Sequence, residues 1–139
     1  CTTVLGNRVV AGHRTTPTLY FIDDSGDEAG TELAMRLQMP PAHMFPSRMK
    51  IPALYVDCAT GVGLNTTTAA NLDPTISMEM SADGVTWTTA PTRDLGRLGQ
   101  TQQLISWHGL GMTDHRGVTF ALEASAAVVR SFQSVMADV

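Results

Sequence analysis

Apolar and polar side chains alternate with a period of two along most of this chain, the pattern of strands with one face buried. In TISMEMSADGVTWTTAP (75–91), Ile76, Met78 and Met80 fall on one face, and Ser77, Glu79 and Ser81 on the other. Asp83-Gly84 then marks a tight turn, because such turns need residues that tolerate positive φ, and Val85 and Trp87 resume the alternation. Upstream, TLYFID (18–23) predicts a strand that ends in the acidic turn DDSGDEAG. TELAMRLQM (31–39) predicts its return as the second half of a hairpin, with Leu33, Met35, Leu37 and Met39 on one side. PPAHMFPSR (40–48) reads as a connector, since a central strand cannot be built through so many prolines.

MKIPALYVDC (49–58) alternates again, and Pro52 pushes it toward a sheet edge or a bulge. TGVGLNTTTAANLDP (60–74) is a long polar loop whose glycines suit unusual dihedrals. TQQLISWHG (101–109), GVTFALEAS (117–125) and AVVRSF (127–132) supply the remaining strands. VVRSFQSVMADV is the best helical stretch, and even there strand is favoured. Short strands at a spacing of roughly ten residues predict an all-β chain with little helix. The expected architecture is an antiparallel β-sandwich or part of a β-propeller-like hub. Residues 1–139 are expected to form a single β-rich domain, or a fragment of a longer chain.

Composition sharpens this picture in one respect. Charged residues make up only 16% of the chain, against about a quarter in ordinary domains. A surface so poor in charge is expected where much of it lies against a partner. Eight arginines stand against the single lysine, Lys50, and arginine is the cation favoured in interfacial pairs. The net charge of -4, without a basic cluster, argues against sequence-specific nucleic-acid binding. No apolar run reaches the length of about eighteen residues that a membrane span needs, so no membrane anchor is expected. Cys1 and Cys58 read as two free thiols of a protein assembled in a cytoplasm.

The candidate chemistries fall away one by one. Ser81, Asp83, Gly84, Thr86 and Trp87 come one residue short of the Asp-box of sialidases, a hairpin motif that is structural and remote from the catalytic residues. The acids sit mainly in turns, where they cap backbone N–H groups, and no pair is marked out for glycoside hydrolysis. His108, Asp114 and His115 lie close in sequence, but their spacing matches no standard zinc signature. DDSGDE resembles part of a calcium loop, yet Glu28 stands where an EF-hand requires glycine. No nucleophile elbow or phosphate-binding glycine loop is present. The reading is a non-enzyme with no catalytic residues, no metal ligands and no cofactor.

Five short motifs, in order and at consistent spacing, carry a family resemblance. Thr60 to Gly63 form TGVG; Asp73-Pro74 precede an alternating strand; Ser81, Asp83, Gly84 and Trp87 form a hairpin signature. Leu95, Gly96 and Gly99 form an LG-x-x-G step, and Trp107, Leu110 and Gly111 a W-x-x-LG turn. Together they resemble the carboxy-terminal part of a short-tailed phage tail-hub family, the packaged DNA stabilization proteins, as a distant relative. The chain departs from that pattern at His108 and Gly109, where the family tends to carry basic residues, and at EASAAVV, where its strand usually ends in Asp-Pro.

The resemblance implies a structural virion protein of a bacteriophage tail or head-to-tail connector. Such a hub or adaptor joins portal to tail and helps retain packaged DNA. Its expected partners are portal, adaptor and tail components and further copies of itself in a homo-oligomeric ring. Its expected place is the virion, at the tail or head-to-tail interface, after assembly in the host cytoplasm. Loops at one end of a sandwich carry contacts most freely. The expected interface residues are therefore Gly61, Val62, Gly63, Leu64 and Asn65, with His108, Leu110, Asp114, His115 and Arg116 and the 40–48 connector. Ser81, Asp83, Gly84, Trp87 and Trp107 are expected to be structural. The alternative is a β-sandwich carbohydrate- or protein-binding module of a larger adhesin or enzyme. A sugar platform would need exposed rings from a small supply: Trp87, Trp107, Tyr20, Tyr55 and four phenylalanines.

Overall fold

Period-two segments become strands, and the computed structural model, which describes residues 2–22, 27–28 and 31–139, is 44% strand and 3% helix. In chain order the elements are β1 Thr2–Leu5, β2 Arg8–Gly12, β3 Leu19–Ile22, β4 Asp27–Glu28, β5 Thr31–Glu32, β6 Met35–Gln38 and β7 Ala53–Cys58. They continue with α1 Ala69–Leu72, β8 Thr75–Ser81, β9 Thr88–Thr89, β10 Arg93–Asp94, β11 Ile105–His108, β12 Thr119–Ala124 and β13 Phe132–Ala137. Cys1, the acidic turn residues 23–26, and 29–30 lie outside the described residues. The calcium-loop resemblance of DDSGDE therefore has no described counterpart.

Two antiparallel sheets make a sandwich-like body. The first has the order β10-β8-β12-β6, with β9 also paired to β8; the second has the order β11-β7-β13. Alternation decides what lies between them. Ile76 and Met78 of β8, Phe120 and Leu122 of β12, Leu54 and Val56 of β7, and Ile105 and Trp107 of β11 share one core cluster. Each large apolar side chain buried this way contributes about 1.5–3 kcal/mol. Trp107 is the largest of them and only 1% exposed; its indole N–H donates to the Pro91 carbonyl at 2.6 Å, so no buried donor is left unpaired.

Several sequence expectations are corrected. TLYFID and TELAMRLQM do not pair: β3 lies against β2, and β6 pairs with β12, where Leu37 stands opposite Leu122. An alternating pattern specifies which face of a strand is buried, not which neighbour covers it. Pro52 makes no edge either, because β7 is the central strand of its sheet. The proline precedes the strand, outside the ladder, and its carbonyl accepts the Gly109 N–H at 2.7 Å. The final strand is Phe132–Ala137, beyond most of AVVRSF, and the 60–74 loop contains the short helix α1. TQQLISWHG narrows to Ile105–His108.

The opening hairpin forms, but not on a two-residue turn. Met80 pairs with Thr88, so residues 82–87 make a six-residue loop in which Val85 is exposed instead of resuming the strand. The reason lies at Asp83, whose carboxylate gathers the loop's N–H groups. Residues 2–12, for which the sequence predicted no strand, form β1 and β2, and these join β3, the strand expected at TLYFID, in a third sheet of order β1-β2-β3. Those strands pack chiefly against one another.

Candidate interaction surfaces

One loop cluster forms where β7 ends and β8 begins. The Gly61 N–H donates to the Leu95 carbonyl at 2.7 Å, and the Gly63 N–H to Gly96 at 3.1 Å. Thr60 Oγ1 donates to the Thr101 carbonyl at 2.8 Å, and the Leu64 N–H to Asn71 at 2.7 Å. Gly63 is demanded by close approach: a Cβ there would lie 2.5 Å from the Leu72 carbonyl oxygen and 2.9 Å from Arg97 Cα. Arg97 forks onto Asp73, Nη2 to Oδ2 at 2.8 Å and Nε to Oδ1. The fork holds the Asp73 carboxyl below the usual carboxylate range and raises Arg97 in turn. Residues 60–64, 71–74 and 95–101 thus form one hydrogen-bonded unit.

A second cluster forms at the opposite end. There β8 runs into the 82–87 loop, and the residues before β7 meet the segment after β11, with Ile51 N–H donating to Gly111 at 2.9 Å. Asp83 Oδ1 accepts from the Val85 N–H at 2.8 Å, the Thr86 N–H at 2.7 Å and the Ser81 hydroxyl at 2.9 Å. Ser81 Oγ in turn accepts the Gly84 N–H at 2.8 Å. These donors, backbone Thr86 and Val85 foremost, hold the Asp83 carboxyl far below its ordinary value. Asp114 caps its own turn in the same way, accepting from Arg116 at 2.7 Å and Gly117 at 3.1 Å.

A cleft of about 550 Å³ opens between these two turns. Ile51, Met80, Phe120 and Met112 give it an apolar wall, and Asp83, Asp114, His115 and Arg116 a polar rim. The connector runs beside it: Ala42 exchanges backbone bonds of 2.8 and 3.0 Å with Val118, so close that a Cβ on Gly117 would meet the Ala42 oxygen at 2.1 Å.

The expected interface residues are therefore split. Gly61, Val62, Gly63, Leu64 and Asn65 lie at one end of the strands, while Leu110, Asp114, His115 and Arg116 line the cleft at the other. His108 joins neither set. It closes β11 opposite Ala53, with Nε2 3.1 Å from Ser106 Oγ and its ring edge-on to Tyr55. Among the structural residues, Ser81, Asp83 and Gly84 build the loop and Trp107 the core. Trp87 has a role that sequence alone did not show. It lies under the Arg36 guanidinium, 4.8 Å from the ring centroid, while Arg36 Nη1 reaches Glu79 at 2.5 Å and Glu123 at 3.2 Å. The polar alternates of β6, β8 and β12 were the signal for that network, and strand pairing was needed to unite them.

Among the described residues, no three His, Cys, Asp or Glu side chains gather as a metal site, and no helix is long and apolar enough to cross a membrane. Cys58 is a free thiol against the core, pushed up in pKa by burial and then by the Asp57 charge. That direction keeps it protonated and poorly nucleophilic.

A third surface belongs to the β1-β2-β3 sheet. Val4, Leu5, Val9, Leu19, Tyr20, Phe21 and Ile22 are all exposed there, Leu19 to 74%, and Val10 alone is buried. Compared with known proteins, the chain matches no family model and no curated protein sequence.

Proposed function

We propose that this chain is a structural virion protein of a bacteriophage tail or head-to-tail connector, a hub or adaptor that joins portal to tail and helps retain packaged DNA. The observation that carries this reading is where the five resemblance motifs meet. TGVG, Asp73-Pro74 and the Leu95–Gly99 step close on one another at one end of the sandwich. Ser81 and Asp83 share a cleft with Leu110 at the other. A body with a braced loop cluster at each end suits a part that links two neighbours along an axis. The sparse charge and the predominance of arginine agree with large contact areas.

Its partners are portal, adaptor and tail components together with further copies of itself in a ring. It would be assembled in the host cytoplasm and retained in the virion. The two tryptophans weigh against the sugar-binding alternative, Trp107 being buried and Trp87 covered by Arg36, while the exposed rings of Tyr20 and Phe21 lie on opposite faces of the third sheet and make no single platform. The test is peptide mass spectrometry and immunogold labelling of virions purified from cells carrying the gene in its own genome. Peptides of this chain in the particle, with label at the head-to-tail junction, are expected. Particles lacking the chain would end the proposal.

A further inference from the structure

The β1-β2-β3 sheet has the composition of a buried element, yet among the described residues Val10 is its one large apolar side chain that is buried. Leu19, Tyr20, Phe21 and Ile22 are apolar in succession, as are Val9 and Val10. Such runs belong to strands covered on both faces, in contrast to the alternation of β8. Register assigns the faces. Val10 stands opposite Phe21 and Gly12 opposite Leu19, and Leu5 pairs with Arg8 on that same side. Val9 stands opposite Ile22 and Val4, and Ala11 opposite Tyr20, on the reverse side. Three strands with apolar side chains open to water on both sides do not make a stable free-standing sheet.

We infer that this sheet is the self-association element of the protein, covered on each face by the same sheet of a neighbouring copy. Its chemistry favours a second copy over a charged partner. Arg8 is the one charged residue in β1–β3, and it already lies 5.2 Å from the Phe21 ring centroid. The area agrees. Seven apolar side chains at roughly 100 Å² each divide between the two faces, about 350 Å² to a face, each the size of a patch that marks a contact surface. With the polar share of about two-fifths that interfaces carry, one face offers on the order of 600 Å², so a contact between two copies buries about 1,200 Å² in total, the lower end of the range for specific interfaces.

Two apolar faces also decide the symmetry. A twofold dimer covers one face of each copy and leaves the other in water. A head-to-tail contact, the Phe21 face of one copy on the Ile22 face of the next, covers both and closes into a ring when the rotation allows. This deepens the ring component of the function proposed above and rests on that reading only there; virion labelling and solution mass fail independently.

The experiment is light scattering coupled to size-exclusion chromatography on the whole chain, on Phe21→Glu and on Ile22→Glu. Both side chains are more than half exposed, at 55% and 54%, so the sandwich is undisturbed, and Trp107 fluorescence monitors its fold. Leu19→Glu and Tyr20→Glu replace either variant should that signal change. The unsubstituted chain is expected as a trimer or larger and each variant as a monomer. An equal mixture of the two variants is expected as a one-to-one heterodimer, because each supplies the face the other has lost. A monomeric unsubstituted chain overturns the inference, as does an Ile22→Glu variant that keeps the full assembled mass or a mixture that stays monomeric.

Discussion

The Arg36 guanidinium is held between charge and ring: Glu79 and Glu123 take its N–H donors while Trp87 lies 4.8 Å beneath it. Arg36 comes from β6, Glu79 from β8, Glu123 from β12, and Trp87 from the loop that follows β8. The outer face of the first sheet is thereby cross-linked over three strands. Arg36 remains 38% exposed, so solvent screening keeps each contact small. Arg36→Ala is expected to cost about 1 kcal/mol and lower the melting temperature by about 4 °C, with less effect in high salt. Calorimetry at two ionic strengths checks both parts; an unchanged melting temperature would show that the network is idle.

Asp83 gives a pH-dependent prediction. Its carboxyl is held well below the ordinary carboxylate value by Thr86, Val85 and Ser81, and a depressed folded pKa stabilises the fold above the unfolded pKa. That contribution is lost as pH falls from the ordinary carboxylate range through the folded value. Asp83→Asn is therefore expected to be less stable than the parent at neutral pH, with the gap narrowing steadily in acid. Thermal melts across a pH series measure the gap, and a constant difference would contradict the assignment.

Trp107 tests the core. Trp107→Phe removes the donor to the Pro91 carbonyl and leaves space beside Leu54 and Ile105. The expected loss is about 2–3 kcal/mol, combining the lost hydrogen bond with a partial cavity. Urea unfolding should show a lower midpoint at an unchanged slope. A midpoint equal to that of the parent would mean the indole is not a packing centre.

Two glycines separate close approach from backbone conformation. Gly63→Ala places a Cβ against the Leu72 carbonyl, and backbone cannot yield cheaply; a loss of about 2–3 kcal/mol is expected. Gly99 has φ of 87° and nothing near its Cβ position, so Gly99→Ala costs only the left-handed conformation, about 1–2 kcal/mol. The order of the two losses in denaturant unfolding is the check, and the reverse order would refute the packing of TGVG on the Leu95–Gly99 step.

Much of the architecture was readable residue by residue. Ile76 and Met78 face inward as their spacing requires, and Ser77 and Glu79 face outward. The glycines and aspartates of the turns were recognisable because their roles are local: Asp83 binds N–H groups two and three residues away. Less of the candidate surface was readable. The 61–65 and 110–116 loops looked like one contact surface in sequence and are held at opposite ends by strands running in opposite directions between them. Trp87 looked like a hairpin ornament, yet its partner Arg36 lies fifty-one positions upstream.

Strand type, buried face and turn chemistry follow from interactions within a few residues, and so they were already written in the order of side chains. Partner choice obeys a different logic. Leu37 satisfies its alternation equally well beside β3 or β12, and only its half-buried place opposite the buried Leu122 separates the two. The same competition left β1, β2 and β3 outside the sandwich, with their apolar faces open to another molecule. Tertiary packing decides among long-range pairings because the area buried depends on the whole assembly of strands, a quantity no local pattern contains.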